Sequence, residues 1–443
     1  MDDELQAVAT RFLSQALTGE SVLGIEELVR AALFRTGASV IGYLFQTVAD
    51  RIDAAYSPQA GESFKARVFT EVHCLFGHFP LGRNYYYHPR RGGHYPADEA
   101  LGLDDGHTPG LVRLACLEGA DESGYEKAQA HLLATGGIHM DGRQIHRLVQ
   151  RVGPVAQAWQ QRPYENGQED RTPVPILYVS ADGTGIPMRP EELKGRSGKQ
   201  ADGTAKTRQV YLGCVFTQHG RDDRGRPIRD WESTTYVSSM DSSDVFGLLL
   251  RHEALRRGMA SARQVVLLID GAGGLETMGL INFKDAIQIV DFYHALEHAG
   301  KVLLALLGNK DHPDYNARRG RWVKRLLRNG VAALVAGTRK ECAGTPRADA
   351  VEKELLYFAD NIPRMQYGTF RRQGYFIGSG VIEAGCKTVI GARCKQSGMF
   401  WGTPGAEHIL SLRCIHSSRR SDTFWTYRLA QLSARYPARR PAA

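Results

Sequence analysis

The 443-residue chain has few cysteines, and none of the seven forms a C-x-x-C pair. Because they are odd in number and scattered, they indicate neither a disulfide framework nor a structural zinc site. There is no unbroken run of about 18 apolar residues, no internal repeat and no low-complexity tract, and residues 1–5 are not typical of a signal peptide. We therefore expect a soluble cytoplasmic protein without membrane contact, or one associated with the nucleoid.

Acidic residues are scarce in the last part of the chain. From residue 361 onward, 13 Lys and Arg stand against three Asp and Glu, and the net charge of the whole chain is +8. A phosphate backbone attracts such a surface whatever its base sequence, although a solubilising surface has the same composition. The length and a hydrophobic content of 42% predict a globular protein of two or three domains.

The chain does contain three carboxylates flanked by small residues. Asp182 in ADGTG and Asp270 in LIDGAGG follow apolar runs typical of β-strands, and Glu383 in GSGVIEAGCK opens a predicted helix. Each has an ordinary explanation: Asp-Gly after a strand is usually a turn, and a glutamate in a first helical turn favours the helix dipole. Together they could hold two Mg²⁺ ions, which activate a water or 3′-hydroxyl and stabilise the leaving oxygen. The combination predicts a phosphoryl-transfer site.

The order of the predicted elements is strand, strand, strand, helix, strand, helix, strand, helix. Strands are predicted at 176–179, 209–217, 233–238, 264–269 and 286–290, and the first and third of these helices at 244–257 and 293–307. This order is expected of an α/β, RNase H-like catalytic domain, with a mixed sheet and flanking helices. Residues 308–375 are predicted to be a mostly helical insertion before the last catalytic helix.

A mostly helical region precedes the predicted core. The predicted parts are an N-terminal helical and irregular region (1–110), a helix-turn-helix-like unit (111–162), the first part of the core (173–307), the insertion (308–375), the last part of the core (376–425) and a basic tail (426–443). The polar stretch 160–172 is predicted to be a linker.

Two helices joined by a glycine-containing turn are predicted within the N-terminal part. The first ends at Gly136-Gly137, and Asp141 is the predicted N-cap of the second. This pattern fits a DNA-binding helix-turn-helix, in which Arg143, Gln144 and Arg147 would contact DNA near the start of the second helix. An ordinary αα-hairpin has the same spacing, so both interpretations stay open.

Basic and aromatic residues follow Glu383. Lys387 lies four residues later, where it could pair with Glu383 or contact a phosphate. Arg393 and Lys395 precede the Met-Phe-Trp sequence that ends at Trp401. These residues could grip a DNA strand or stack on a base, and core packing of Trp401 is an equal alternative.

The segment VDFYHALEH contributes one more acid and two histidines. His294 and His298 share a helical face, but the internal H-A-L-E-H pattern lacks the general base of an H-E-x-x-H zinc protease. Asp291, at a predicted strand end, and His294 are predicted to support the acidic site, His294 through hydrogen bonds.

Several long blocks between Tyr178 and Leu412 resemble the bacterial insertion-sequence transposases of the DDE class, specifically the Kra-type family. They are ADGTG, LIDGAGG, IVDFYHALEH, IGSGVIEAGCKTVIGARCKQSGMFW and GAEHILSLR. The resemblance implies an RNase H-like domain in which Asp182, Asp270 and Glu383 bind two Mg²⁺ or Mn²⁺ ions. It also implies cleavage of double-stranded DNA at terminal inverted repeats, and strand transfer into target DNA by the freed 3′-hydroxyl. Because two DNA ends are paired, we expect a homodimer or a larger assembly.

The resemblance is weaker in the N-terminal part. The helix pair at 136–152 resembles the family's terminal-repeat-binding region. Residues 83–103 resemble a segment in which relatives carry paired cysteines of a small zinc-binding module, but His88, Arg90, Arg91 and similar residues occupy those places here. The missing cysteines motivate an alternative, a domesticated or decayed transposase that only binds DNA. A cellular nuclease or resolvase on the same fold is a third possibility.

Overall fold

The fold is taken from a computed structural model, which describes residues 19–165, 174–198, 205–271 and 273–434, with residue 203 and a few positions before residue 19. The chain divides into two compact units, Met1–Val155 with Ser421–Ala443 (unit 1) and Ala156–Arg420 (unit 2). Residues 166–172 of the predicted linker and 435–443 of the predicted tail lie outside the described residues, while 426–434 belong to a helix. The other domain boundaries stay predictions.

Unit 1 begins with a long helix and a three-stranded antiparallel sheet. The helix is α1 (Gly19–Ala55), and the strands are β1 (Ser63–Cys74), β2 (Gly77–His88) and β3 (Gly92–His94), in the order β1-β2-β3. Ala38 and Ala49 of α1 pack with Val72, Phe79 and Leu81 of the sheet. The sequence predicted a helical and irregular region at 1–110, but β1 and β2 are paired 12-residue strands, and the tyrosines at 85–87 lie in β2.

One helix in the described part of the chain, over Gly24–Ala55, is long and apolar enough to cross a membrane by length and composition alone. Core helices of soluble proteins and signal sequences share this property. Polar side chains such as Arg35 and Gln46 interrupt the stretch, which explains why the sequence shows no unbroken apolar run. Gln46 bonds to Gly82 of the sheet through both its amide nitrogen and its oxygen, at 2.8 Å each.

The rest of unit 1 is helical. Its helices are α2 (Pro96–Leu101), α3 (Pro109–Asp121), α4 (Tyr125–Gly136), α5 (Gly142–Gln161) and, later in the chain, α16 (Ser421–Ala434). The last residues of α5 belong to unit 2.

The predicted helix pair is confirmed as α4 and α5. α4 ends at Gly137 in the left-handed region (φ 63°), which a glycine adopts without strain. Asp141 Oδ1 accepts from the Gln144 amide at 2.7 Å, and Gln144 Oε1 accepts from the Asp141 amide at 2.9 Å. This reciprocal capping box starts α5.

Unit 2 is built on a six-stranded mixed sheet. Its strands are β4 (Ile176–Pro187), β5 (Thr207–Arg221), β6 (Pro227–Arg229), β7 (Thr235–Ser239), β8 (Gln264–Ile269) and β9 (Ile287–Val290). They are ordered β6-β5-β4-β8-β9, and β7 pairs with another part of β5. β5 is antiparallel to β4 and to β7, whereas β8 is parallel to both β4 and β9. Two crossover helices, α6 (Ser243–Arg256) and α7 (Gly273–Asn282), bury one face of the sheet.

Helices complete unit 2. α8 (Phe292–Leu307) follows β9, and the predicted insertion is confirmed as helical, with α9 (Tyr315–Leu326), α10 (Val331–Cys342), α11 (Ala348–Asn361) and α12 (Tyr367–Arg372). The last segment contains α13 (Gly380–Gly385), a π-helical stretch (Cys386–Gly391), α14 (Ala392–Cys394) and α15 (Thr403–Ser417). The π-helical stretch was not predicted, because apolar spacing does not separate a six-residue π turn from an α-helix.

Candidate active site

The parallel pairing of β4 with β8 puts Asp182 and Asp270 at the same level. The register runs from Ile176 opposite Gln264 to Ser180 opposite Leu268. Each aspartate lies two residues beyond the last pair, and side chains two residues apart share a face of the sheet. By this register Asp182 corresponds to Asp270, which directly follows β8, and both lie on the face opposite the core that α6 and α7 cover.

Asp182 does not end its strand as the sequence predicted. On the β8 side the pairing stops at Ser180, but on the β5 side β4 continues to Pro187. The Asp182 carboxylate is half-buried, and its Oδ1 accepts from the Gly183 amide at 2.6 Å. A Cβ at Gly183 would lie 2.2 Å from the side-chain nitrogen of Gln209, so the ADGTG glycine relieves crowding against β5.

Glu383 lies in the first turn of α13 and is exposed, with its Oε1 3.0 Å from Ser379 Oγ. The helix sits close to the sheet, since a Cβ at Gly385 would meet Tyr236 at 2.7 Å. Three residues after Glu383, the Cys386 thiol donates to Asp182 Oδ2 at 3.5 Å. Residues three apart share a helical side, so this contact turns the Glu383 side of the helix toward Asp182.

The Cys386 thiol is a donor to the site and not a nucleophile. Burial, together with the Asp182 carboxylate, raises the pKa of Cys386. The thiol therefore stays protonated at neutral pH and keeps its S–H for Asp182.

The donor atoms of the three acids do not all lie within 4.8 Å of one another. Among the described residues, two groups of three possible ligands have their donor atoms within 4.8 Å of one another, and neither contains Asp182, Asp270 or Glu383. Two ions about 3.5–4 Å apart, each about 2.1 Å from its ligands, can be spanned by oxygens up to about 8 Å apart. Carboxylate oxygens are the ligands that hard divalent cations prefer, so the chemistry of the three residues suits Mg²⁺ or Mn²⁺.

Asp291 connects the strand end to the Glu383 helix. The backbone amide of Asp291 donates to Ile269 O at 2.8 Å, which continues the β8–β9 pairing and puts Asp291 level with Asp270. Its side chain is buried, with Oδ1 accepting from the His294 amide and Oδ2 from the Ser379 amide, both at 2.5 Å. Because both oxygens are occupied, the geometry makes Asp291 a positioning residue.

His294 makes its described side-chain contacts with His298, Tyr357 and Glu297. Its ring lies 5.0 Å from that of His298 and 6.2 Å from that of Tyr357, and its Nδ1 is 3.7 Å from Glu297. Only its backbone amide bonds to Asp291. The predicted support through side-chain hydrogen bonds from His294 is therefore not among the described contacts.

Tyr357 of α11 reaches the site from the insertion. Its hydroxyl donates to the backbone carbonyl of Asp270 at 2.8 Å, and its ring stacks on His298 at 3.8 Å between centroids. Burial, with the charges of Asp270 and Asp291, raises the pKa of Tyr357, so the hydroxyl stays a donor. Burial, Lys301 and His294 lower the pKa of His298 to about 4, so that imidazole is neutral at pH 7.

Arg413 supports the π-helical stretch after Glu383. A π turn leaves carbonyls without their usual helical partners. Arg413 Nε donates to Val389 O at 2.6 Å and Nη2 to Thr388 O at 2.5 Å, and the side chain is buried. α15 thus holds the helix that carries Glu383 and Cys386.

The residues predicted to contact DNA near Glu383 divide into two groups. Lys387 is exposed, and the Lys395 amine bonds to Thr184 Oγ1, two residues beyond Asp182 on the same face of β4. Arg393 and Trp401 are 1% and 8% exposed. As DNA contacts, these two predictions are wrong.

Arg393 and Trp401 pack against each other inside unit 2. The Trp401 indole donates to Cys394 O at 3.1 Å, and the Arg393 guanidinium lies 5.2 Å from the indole ring. The exposed aromatic of the Met-Phe-Trp sequence is Phe400, which is 53% exposed.

The helix pair of unit 1 presents its predicted DNA contacts unevenly. Arg143 and Arg147 are exposed, and Arg147 Nε lies 3.9 Å from Asp105. The side-chain oxygen of Gln144 is used in the capping box with Asp141, which leaves its amide nitrogen for another contact.

A basic groove of about 440 Å³ lies in unit 2, at the end of β5 remote from Asp182. Five arginines line it, namely Arg221, Arg224, Arg226, Arg371 and Arg372. All five are exposed, and Arg226 is paired with Asp222 at 2.7 Å. The groove is a positively charged surface that the sequence analysis did not identify.

Sequence reasoning missed Cys386, Tyr357 and Arg413. Cys386 could have been found from its helical spacing to Glu383. Tyr357 and Arg413 reach the site across long stretches of chain, and no local pattern identifies them.

No family model and no curated protein matches the chain. Among solved structures, a chain of the Drosophila P element transposase strand transfer complex matches over 75% of this chain and 83% of that chain, at 10% identity and a TM-score of 0.26. A likeness this distant establishes neither a shared detailed topology nor a shared activity.

Proposed function

We propose that this protein is a DDE transposase of the bacterial insertion-sequence kind that its sequence blocks resemble, with an RNase H-like core in unit 2. The strand order supports the core. Across the sheet, with β6 left out, the strands lie in the order β7, β5, β4, β8, β9. In chain order these are the third, second, first, fourth and fifth of the five strands. The first three are antiparallel, and the last two run parallel to the first. The sequence predicted only the order of these elements along the chain, and the sheet adds their spatial order.

The observation that carries the proposal is the parallel register of β4 and β8, beyond whose last pair Asp182 and Asp270 each lie by two residues. The helix bearing Glu383 packs over the same face and contacts Asp182 through Cys386. In this proposal the three carboxylates hold two Mg²⁺ or Mn²⁺ ions. Once bound, such a pair lowers the pKa of an attacking water or 3′-hydroxyl and stabilises charge on the leaving oxygen.

The chain's other residues would bind and orient DNA. Lys395, anchored at Thr184, and Lys387 place positive charge beside the acids for the scissile or flanking phosphates. Arg143 and Arg147, exposed on α5, would contact the terminal repeats. A homodimer or larger assembly at the nucleoid would pair the two element ends.

The test uses the full chain and linear DNA that carries the sequences flanking its gene. We expect nicking and strand transfer that require Mg²⁺ or Mn²⁺. Asp182→Asn, Asp270→Asn and Glu383→Gln should each lower cleavage by at least about 100-fold while DNA affinity changes little. The exposed Asp311→Asn in the insertion is the matched control and should cleave like the wild type.

Cleavage at the wild-type rate by any of the three variants would overturn the assignment of that acid. If the wild type binds the repeats but never cuts them with either metal, the protein is a domesticated or decayed transposase. Cutting of branched DNA without regard to end sequence would identify a cellular nuclease.

A further inference from the structure

We infer that the β1–β2 hairpin of unit 1 carries a transition-metal site, with Glu71, His73 and His78 as its ligands. The hairpin register brings the three together. His73 stands directly opposite His78, next to the turn that joins Cys74 to Gly77. Glu71 lies two residues before His73 and therefore on the same face of the sheet. One donor atom from each residue lies within 4.8 Å of the other two.

The distances have the spacing of ligands around an ion and not of hydrogen bonds. Glu71 Oε1 is 3.6 Å from His73 Nε2, and Oε2 is 3.7 Å from His78 Nε2. Both exceed the usual limit of about 3.2 Å for an N–H···O bond. Two ligands about 2.05 Å from a tetrahedral zinc ion are about 3.4 Å apart, so a small movement of the carboxylate closes the site.

A second histidine of the same sheet shows what a hydrogen-bonded arrangement looks like. His94 Nε2 lies 2.9 Å from Glu62 and His94 Nδ1 lies 3.1 Å from Glu99. Both carboxylates approach that imidazole closely and satisfy it. Glu71 turns one oxygen toward each of two imidazoles and bonds to neither.

The backbone of His73 is held by hydrogen bonds at both its amide and its carbonyl. The His73 amide donates to Gly106 O at 2.8 Å, and the His73 carbonyl accepts from the Thr108 amide at 2.9 Å. The buried His107 ring stacks on His73, 5.4 Å between centroids. A strand ladder and a stacked ring hold the first imidazole in place, which lowers the entropy lost on metal binding.

The donor set defines the chemical class of the ion. Two imidazole nitrogens and one carboxylate oxygen suit Zn²⁺ and its borderline neighbours Co²⁺, Ni²⁺ and Cu²⁺. The side chains of His78 and Glu71 are 61% and 57% exposed, so a fourth position faces solvent. A three-ligand set with an open position is the arrangement of a zinc site that accepts a water or an external ligand.

The second cluster of possible ligands in unit 1 is an ion pair. His131 Nδ1 lies 2.5 Å from Glu118, a hydrogen bond, and 3.9 Å from Glu122. One ring nitrogen of His131, Nδ1, is already hydrogen-bonded to Glu118. His131 therefore provides a built-in comparison for the hairpin site.

The test measures Zn²⁺ binding to the chelator-treated full chain by calorimetry and by metal analysis after gel filtration, with excess Mg²⁺ present to occupy the acidic site of unit 2. We expect His78→Ala and Glu71→Gln each to lower the affinity of one Zn²⁺ at least about tenfold. His131→Ala and the exposed His139→Ala are the controls and should bind like the wild type. Zn²⁺ should also raise the melting temperature of the wild type but not of His78→Ala.

Circular dichroism separates loss of the site from loss of the fold, and the exposed position of His78 makes that variant the more tolerant of the two. Absence of Zn²⁺ binding to the wild type would overturn the inference, as would loss of binding in His131→Ala with retention in His78→Ala. Neither result bears on the transposase proposal, because the hairpin belongs to unit 1 and the three acids to unit 2.

Discussion

Asp291 holds the backbone of Ser379, with Oδ2 2.5 Å from the Ser379 amide nitrogen. Its other oxygen caps α8 at the His294 amide. Since Asp291 is level with Asp270 and Ser379 is the N-cap of the Glu383 helix, one buried carboxylate ties two parts of the candidate site together.

We expect Asp291→Asn to destabilise unit 2 by about 2–3 kcal/mol, because an amide group has one acceptor oxygen where two N–H donors now bond. The start of the Glu383 helix would move, so DNA cleavage should require a higher Mg²⁺ concentration. Denaturant unfolding and a Mg²⁺ titration of nicking measure the two effects. The control is Asp314→Asn, an N-cap aspartate without a capping hydrogen bond. An equal loss in both variants would contradict the special role of Asp291.

Tyr357→Phe removes the hydroxyl that bonds to Asp270 O and keeps the ring that stacks on His298. We expect a loss of about 1 kcal/mol in stability and a larger effect on the cleavage rate than on DNA affinity, since the hydroxyl positions the Asp270 backbone. Tyr375→Phe is the matched control, because Tyr375 bonds to Gln264 at the other end of the same strand. Single-turnover nicking rates compare the two. Equal rates in both variants would show that the Tyr357 contact is only structural.

Arg413→Met should leave the Thr388 and Val389 carbonyls of the π-helical stretch without their charged donor. The expected cost is about 2–4 kcal/mol, larger than for an exposed arginine, because buried acceptors lose a charge-assisted bond. Urea unfolding measures it. Arg419→Met, which removes an exposed arginine that bonds to Trp231 O at 3.3 Å, is the control and should cost under about 0.5 kcal/mol. A small effect at Arg413 would mean that the π turn needs no external donor.

His298 predicts an acid-sensitive stability. Its pKa is about 4 in the folded chain against an ordinary 6.5, so the unfolded chain binds the extra proton between these values. The contribution of His298 to the free energy of unfolding is therefore complete above about pH 6.5. It falls by up to about 3 kcal/mol as the pH drops toward 4. His294, Lys301, Glu354 and Tyr357 lie around the His298 ring.

Unfolding free energies measured from pH 7.5 to 4 in wild type and His298→Gln check this prediction. The variant should show a flatter dependence on pH over that range. His312→Gln, in the inserted segment, is the control and should keep the wild-type slope. Parallel curves for wild type and His298→Gln would refute the assignment.

The basic groove predicts a measurable salt effect. In the Arg224→Gln, Arg371→Gln double variant, DNA affinity should fall and the slope of log affinity against log salt should decrease by about 1–2, as expected for two lost phosphate contacts. Arg339→Gln is the control, because Glu352 already neutralises that exposed arginine at 2.6 Å. Fluorescence anisotropy on the flanking DNA at several salt concentrations gives both slopes. An unchanged slope in the double variant would exclude the groove from DNA contact.

Local patterns made several features predictable. Apolar runs bounded by glycine and polar residues identified the strands at 176–179 and 264–269. The Gly136-Gly137 stop and the Asp141 cap located the α4–α5 helix pair. Such signals depend on residues within a few positions of one another, and short-range sterics and hydrogen bonds decide them.

The sequence by itself determined which residues are apolar, which turns carry glycine, and that three acids lie at predicted element boundaries. Only the tertiary structure decided that Asp182 is level with Asp270, that Arg393 and Trp401 are buried, and that Tyr357 and Arg413 reach the site. It also brought His73 opposite His78 across a hairpin. Strand register and side-chain burial depend on packing between residues far apart in the chain, and no local pattern encodes that packing.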